Sequence, residues 1–177
     1  MKCNIRASPF LVSLCFIYSF PFVVSNNFLI FAFEMAQNKS IYYIPAEWHR
    51  QVAVQLTWPH ADTDWAPYLD DIVRMELEMA KQITLHEDLI VATPHKEEVE
   101  ALLRSELSEE QMNRVGVYSV ESNDTWARDH GAITLLSADG EATHQLLFHF
   151  NGWGDKFVSD KDNQISGHLL KMDAFKQ

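Results

Sequence analysis

A chain of 177 residues is long enough for one domain with a buried core, and 47% hydrophobic against 22% charged residues argues against a disordered one. The formal charge of −11, with a pI near 5.0, argues against a nucleic-acid partner, whose phosphates such a surface repels, and suits a cationic small molecule better. The only two cysteines are Cys3 and Cys15, so from residue 16 onward there is no thiol for a disulfide, a metal site or a nucleophile.

Residues 1–34 read as an apolar leader. No charge interrupts Ser8 to Phe33; Lys2 and Arg6 precede the run and Glu34 closes it. That is the layout of a secretory signal, with Val23-Val24-Ser25 as the cleavage site. The run is also long enough to anchor in a bilayer, although Pro21 and Ser25-Asn26-Asn27 break it. A third reading starts the protein at Met35, since Met35-Ala36-Gln37-Asn38-Lys39 looks like a cytosolic N-terminus, and makes the first 34 residues upstream sequence translated by mistake. A membrane is a partner only if the leader is real.

Beyond the leader, Gln51 to Trp58 alternates, with Val52, Val54 and Leu56 on one side, which predicts a strand. Pro59 ends it. Pro67 sits where the first turn of a helix tolerates proline, and Leu69, Ile72, Val73, Leu77, Ala80 and Ile83 recur at helical spacing, so Pro67 to Leu85 is an amphipathic helix. Asp88 to Thr93 is a short buried strand, Lys96 to Arg104 a second helix, and Ser108 with Gln111 a capping box opening a brief third one. Val115 to Val120 is a strand. Ala132 to Leu136 and Gln145 to Phe150 form a hairpin across Asp139-Gly140. Past Gly154 the pattern dissolves, and only Leu169, Leu170, Met172 and Phe175 suggest a helix. This order of elements marks an α/β protein.

Three polar-aromatic clusters follow strand ends, where α/β proteins place ligand loops. The densest is Asn123-Asp124-Thr125-Trp126-Ala127-Arg128-Asp129-His130-Gly131. A carboxylate matches the parallel N–H donors of a planar cation, and an indole suits its face. Arg128 is able to pair with Asp124 or a neighbouring carboxylate and stiffen the loop. His130, a lone histidine beside a turn, reads as a surface or capping residue. The alternative for the whole segment is a solvated loop whose members cap one another. The second cluster is Trp58 to Trp65. His60, Asp62 and Asp64 match no zinc or calcium spacing, and a helix-entry loop with Asp64 near the N-cap is the better reading. The third is Phe150-Asn151-Gly152-Trp153-Gly154, whose glycines suggest backbone passing close to something.

Pro45-Ala46-Glu47-Trp48-His49, Thr57-Trp58-Pro59, Asn123 to Asp129 and Phe150 to Gly154 together resemble, in order and spacing, the agmatine deiminase family, which is related to the bacterial peptidyl-arginine deiminases. The likeness runs from about Tyr42 to Phe157 and covers the N-terminal part of the family. It implies a partial pentein fold, the first blades of a five-bladed α/β propeller with its site in the central channel. It implies hydrolysis of agmatine to N-carbamoylputrescine and ammonia, a step in putrescine synthesis, without cofactor or metal. By the same likeness Asp129 binds the guanidinium with both oxygens, Trp126 lines the pocket, and Asn123, Asp124 and Arg128 shape the loop. The family attacks the guanidinium carbon with a cysteine thiolate, assisted by a histidine from its second half. His144, His149 and His168 stand in the wrong context for that role, and neither the later His-x-Asp segment nor the cysteine is in this sequence.

The domain expectation is therefore a leader over 1–34 and a truncated deiminase domain over 35–177. Because the family begins near Pro45, Met35 is the preferred start. The location expected is the cytoplasm, or the exterior if residues 1–25 are a signal peptide, and a homodimer is allowed. Two alternatives stand beside agmatine deimination: peptidyl-arginine deimination, and a non-catalytic remnant that only binds guanidinium.

Overall fold

The computed structural model describes residues 41–140 and 142–175. The leader over 1–34 lies outside the described residues. Among the described residues no helix is long and apolar enough to cross a membrane.

The framework is a three-stranded parallel sheet in the order β2-β3-β4, formed by Ala53–Thr57, Asp88–Thr93 and Val115–Ser119. Its register pairs Leu56 with Val91 and Val91 with Val117. Parallel neighbours require a crossover. The first is α1, Leu69–Ile83, entered through a 3-10 turn over Ala66–Tyr68 that has proline in its opening positions. The second is α2, Lys96–Glu106, followed by the short α3, Glu109–Met112. The capping box is present, with Ser108 Oγ accepting from the Gln111 amide and the Gln111 side chain accepting from Ser108 N–H.

Period-two alternation divides the sheet's side chains between two cores. Leu56, Leu89, Val91 and Val117 face α1 and α2, where they meet Ala80, Val99 and Leu103. Ile90, Ala92 and Val120 face the other way, onto Ile165 and Leu169. Those two residues belong to α5, Asp162–Lys171, and neither exposes any surface. The segment past Gly154 is thus not patternless. Its helix buries Asp162 and Ser166 beside Ile165 and Leu169, and this polar-apolar mixture hides the stripe a sequence reading looks for.

The second sheet is antiparallel, in the order β1-β5-β6, from Tyr42–Tyr43, Ile133–Ser137 and Thr143–Leu146. The expected hairpin is β5–β6, with Gly140 at φ +76 in its turn, and β6 begins two residues earlier than the alternation suggests. β1 is too short to leave a sequence signal; it pairs Tyr42 with Ser137, and the Tyr42 ring stacks on His144 with centroids 4.7 Å apart. The α/β class holds. The propeller does not appear among these residues, because the two sheets are separate and neither closes on itself.

Candidate functional site

The segment Asn123–Gly131 leaves the end of β4 and folds into one helical turn, α4, Ala127–His130. Its entry is fixed from outside. Asp162, at the start of α5 and 2% exposed, accepts on Oδ1 the backbone N–H of Asn123 at 2.6 Å and of Asp124 at 3.3 Å. Asn123 answers through its own Oδ1, which accepts from the amides of Lys161 at 2.8 Å and Asp162 at 3.2 Å. Asp124 orders the next two residues, with Oδ1 accepting from Thr125 N–H at 2.8 Å and Oδ2 from the Trp126 indole N–H at 3.1 Å.

What this leaves open is a partly buried Asp129 beside a half-exposed Trp126. The Asp129 carboxylate makes no hydrogen bond and no ion pair among the described residues. Arg128 does not take the part expected of it. It is exposed and makes no ion pair among the described residues, and the bracing it was expected to supply comes from Asp162 and Asn123 instead.

His130 is likewise not a surface residue. It is 3% exposed, with Nε2 3.3 Å from Thr57 Oγ1 at the end of β2, its carbonyl accepting from Ser166 Oγ at 3.0 Å, and Nδ1 without a hydrogen-bond partner among the described residues. Burial lowers its pKa, against the pull of Asp162 and Asp129, and the ring is neutral at neutral pH. Burial raises that of Asp162 in turn, against the two amide donors that favour its charge.

The first and second clusters meet. Trp65 donates its indole N–H to Thr125 Oγ1 at 2.9 Å, and its ring lies 6.2 Å from that of Trp126, tilted by 42°. His60 contacts Ser122 at 3.0 Å. The second cluster is a helix-entry loop, with Asp64 next to Trp65, the N-cap of the 3-10 turn, which has no side-chain cap; inside the loop Thr63 Oγ1 accepts from Trp65 N–H at 3.3 Å. The residue types of Trp58–Trp65 read as a helix-entry loop; what they could not give was its contact with a loop some sixty residues away. The third cluster hangs on α5, where Asn163 holds both backbone groups of Phe150, at 2.8 and 2.9 Å. Gly152, Trp153, Gly154 and Asp155 then all adopt positive φ. The close approach expected there is real at Gly152, where a Cβ would collide with Phe157 O, and absent at Gly154. Among the described residues no three metal-ligating side chains converge.

A carboxylate unpaired among the described residues, three positions after an ordered indole, has the chemistry to hold a flat cation. The model of the Porphyromonas-type peptidyl-arginine deiminases matches residues 43–177. The chain belongs to that family. A Shewanella baltica (strain OS185) protein provisionally named an agmatine deiminase is 30% identical over 139 residues, which are 76% of this chain and 36% of that protein. Two solved deiminases share the fold. A Porphyromonas gingivalis protein provisionally named an arginine deiminase is 43% identical, with a TM-score of 0.62 over 75% of this chain and 37% of its own. A cysteine-to-serine variant of the C. jejuni agmatine deiminase with substrate bound is 28% identical, with a TM-score of 0.66 over 78% of this chain and 39% of its own. The chain therefore spans little more than a third of the length of the relatives it matches.

Proposed function

We propose that the chain supplies the guanidinium-gripping part of an agmatine deiminase, an enzyme of putrescine synthesis that hydrolyses agmatine to N-carbamoylputrescine and ammonia. Asp129 receives two parallel N–H groups of the guanidinium, and Trp126 lies along the cation's face. Asn123 and Asp124 shape the loop; Arg128, exposed and without an ion pair among the described residues, shapes its outer rim. The observation that carries this reading is the Asp129 carboxylate, which makes no hydrogen bond or ion pair among the described residues and stands three residues after an indole that Asp124 holds in place. In the whole protein the two open sheets would belong to the first blades of a pentein propeller, with the site facing its channel and the enzyme working in the cytoplasm.

The covalent step needs a thiolate. Cys3 and Cys15 are the only cysteines of this sequence, and both stand ahead of the residues that match the family. The 177-residue chain accordingly binds agmatine without releasing ammonia from it. Calorimetric titration with agmatine tests the first half, with binding expected for the wild type and a loss of at least about tenfold for Asp129→Asn, which keeps the shape and removes the charge. Equal affinity of the two proteins would sink the assignment of Asp129. An ammonia assay tests the second half, and turnover by the purified chain would refute it.

A second reading, deimination of arginine within a peptide, is favoured by the family model, that of the Porphyromonas-type peptidyl-arginine deiminases. A blocked arginyl peptide competing with agmatine at equal or lower concentration would support it.

A further inference from the structure

The carboxyl ends of the three parallel strands each deliver one polar residue to the same place: His60 beyond β2, His95 beyond β3 and Ser122 beyond β4. His60 is 5% exposed and Ser122 2%. The His60 ring is bonded at both nitrogens. Nδ1 accepts the backbone N–H of Asp62 at 3.3 Å, and Nε2 lies 3.0 Å from Ser122 Oγ. A neutral imidazole has one donor and one acceptor nitrogen, so acceptance at Nδ1 places the proton on Nε2, which donates to Ser122. The His60 carbonyl also accepts the Thr63 hydroxyl at 2.8 Å, and Thr63 in turn receives the Trp65 amide. His60 thus fastens the loop that presents Trp65 to the strand end from which the Asn123–Asp129 loop departs.

We propose that His60 is a positioning residue whose neutral form holds Trp65 against Thr125 and Trp126, and so sets the aromatic wall beside a guanidinium on Asp129. The proposal rests on the guanidinium-binding reading above. A proton on Nδ1 turns an acceptor into a donor that faces the Asp62 N–H, so the neutral ring fastens the loop and the cation releases it. The groups around the ring divide. Burial, the strongest influence, disfavours the cation, as do His95, edge-on with its centroid at 5.8 Å, and Lys161 ahead of α5; Asp62 in the same loop and Glu121 after β4 favour it. The balance lowers the pKa of His60 below its ordinary 6.5, so the loop is fastened at neutral pH and loosens on acidification.

The test uses the full chain, ¹⁵N-labelled, with the indole N–H signals of Trp65 and Trp126 read by NMR and agmatine affinity measured between about pH 7.5 and pH 5.5. In the wild type both indole signals move together as the pH falls, and affinity drops severalfold, by less than about tenfold. His60→Gln keeps an N–H for Ser122 and cannot titrate; its signals and affinity match the wild type at neutral pH and lose most of the pH dependence. His60→Phe shifts both indole signals at neutral pH and weakens agmatine about tenfold. A folded His60→Phe chain with wild-type indole signals and affinity overturns the proposal, and so does a His60→Gln chain that retains the wild-type pH response. If the wild type binds no agmatine, the guanidinium-binding reading fails, while the indole signals still decide whether His60 sets the tryptophan pair.

Discussion

One carboxylate oxygen of Asp162 takes the backbone N–H of Asn123 at 2.6 Å, and the side chain of Asn123 returns the bond to the Asp162 amide at 3.2 Å. The loop that carries Asp129 is thereby held by the first turn of α5, a helix from the far end of the described chain. Asp162→Ala leaves two amides without their acceptor and is expected to cost about 2 kcal/mol in a urea melt, whereas Asp162→Asn keeps an oxygen in place and costs less than half as much. Equal losses would show that the charge, not the hydrogen bonds, does the holding.

On the proposed guanidinium-binding reading, Trp126→Ala removes the face that covers the cation, and Trp126→Phe restores most of it. Agmatine binding is expected to weaken by about 1 kcal/mol for alanine and by a few tenths for phenylalanine, as an exposed cation–π contact requires. Folding should hardly change, because the indole is 52% exposed. Calorimetry and a thermal melt on the same samples separate the two effects.

Glu76 offers a pH signature unrelated to the site. It lies on the inner stripe of α1 with Ile72 and Ala80, one carboxylate oxygen has no partner among the described residues, and burial pushes its pKa up to about 7. A carboxyl whose folded pKa exceeds its unfolded value of 4.5 contributes most below the unfolded value, and stability falls as the pH rises toward 7. Glu76→Gln is expected to raise Tm above the wild type near pH 8, by an amount corresponding to roughly 2 kcal/mol, and to leave it nearly unchanged near pH 4. Differential scanning calorimetry at the two pH values checks the sign.

Gly152 and Gly154 separate two costs of a methyl group. Both have positive φ, but only at Gly152 would a Cβ collide with backbone, at Phe157 O. Gly154→Ala is expected to lose about 1 kcal/mol from conformation alone, and Gly152→Ala about 3 kcal/mol or more, since the turn must also move. Chemical denaturation of the two variants gives the comparison.

How much of this was legible beforehand follows from the range of the forces involved. The parallel sheet and its crossovers show in sequence because alternation in Val54-Gln55-Leu56 and helical spacing from Leu69 to Ile83 are local consequences of burial. Asn123–Gly131 stood out as a candidate site because its residue types have few reasons to crowd together in a loop. The roles of Asp162, Trp65 and His60 were not, because each acts on a partner distant in sequence: Asp162 on Asn123, Trp65 on Thr125, His60 on Ser122. Arg128 shows the opposite error. Its charge suggested a partner nearby, and at an exposed position water serves as well.

The pairing of Tyr42–Tyr43 with Leu136 and Ser137 has a kinetic consequence. It closes a loop of roughly ninety residues with a strand only two residues long, so the entropy of closure is offset by very few contacts. Such a contact forms late in folding and opens often afterwards. Amide exchange at Tyr43 should therefore outpace that at Val91 in the centre of the parallel sheet by orders of magnitude. A polypeptide joined ahead of Tyr42 would be moored by a clasp that opens and recloses, while the sheet from which the Asp129 loop departs stays shut.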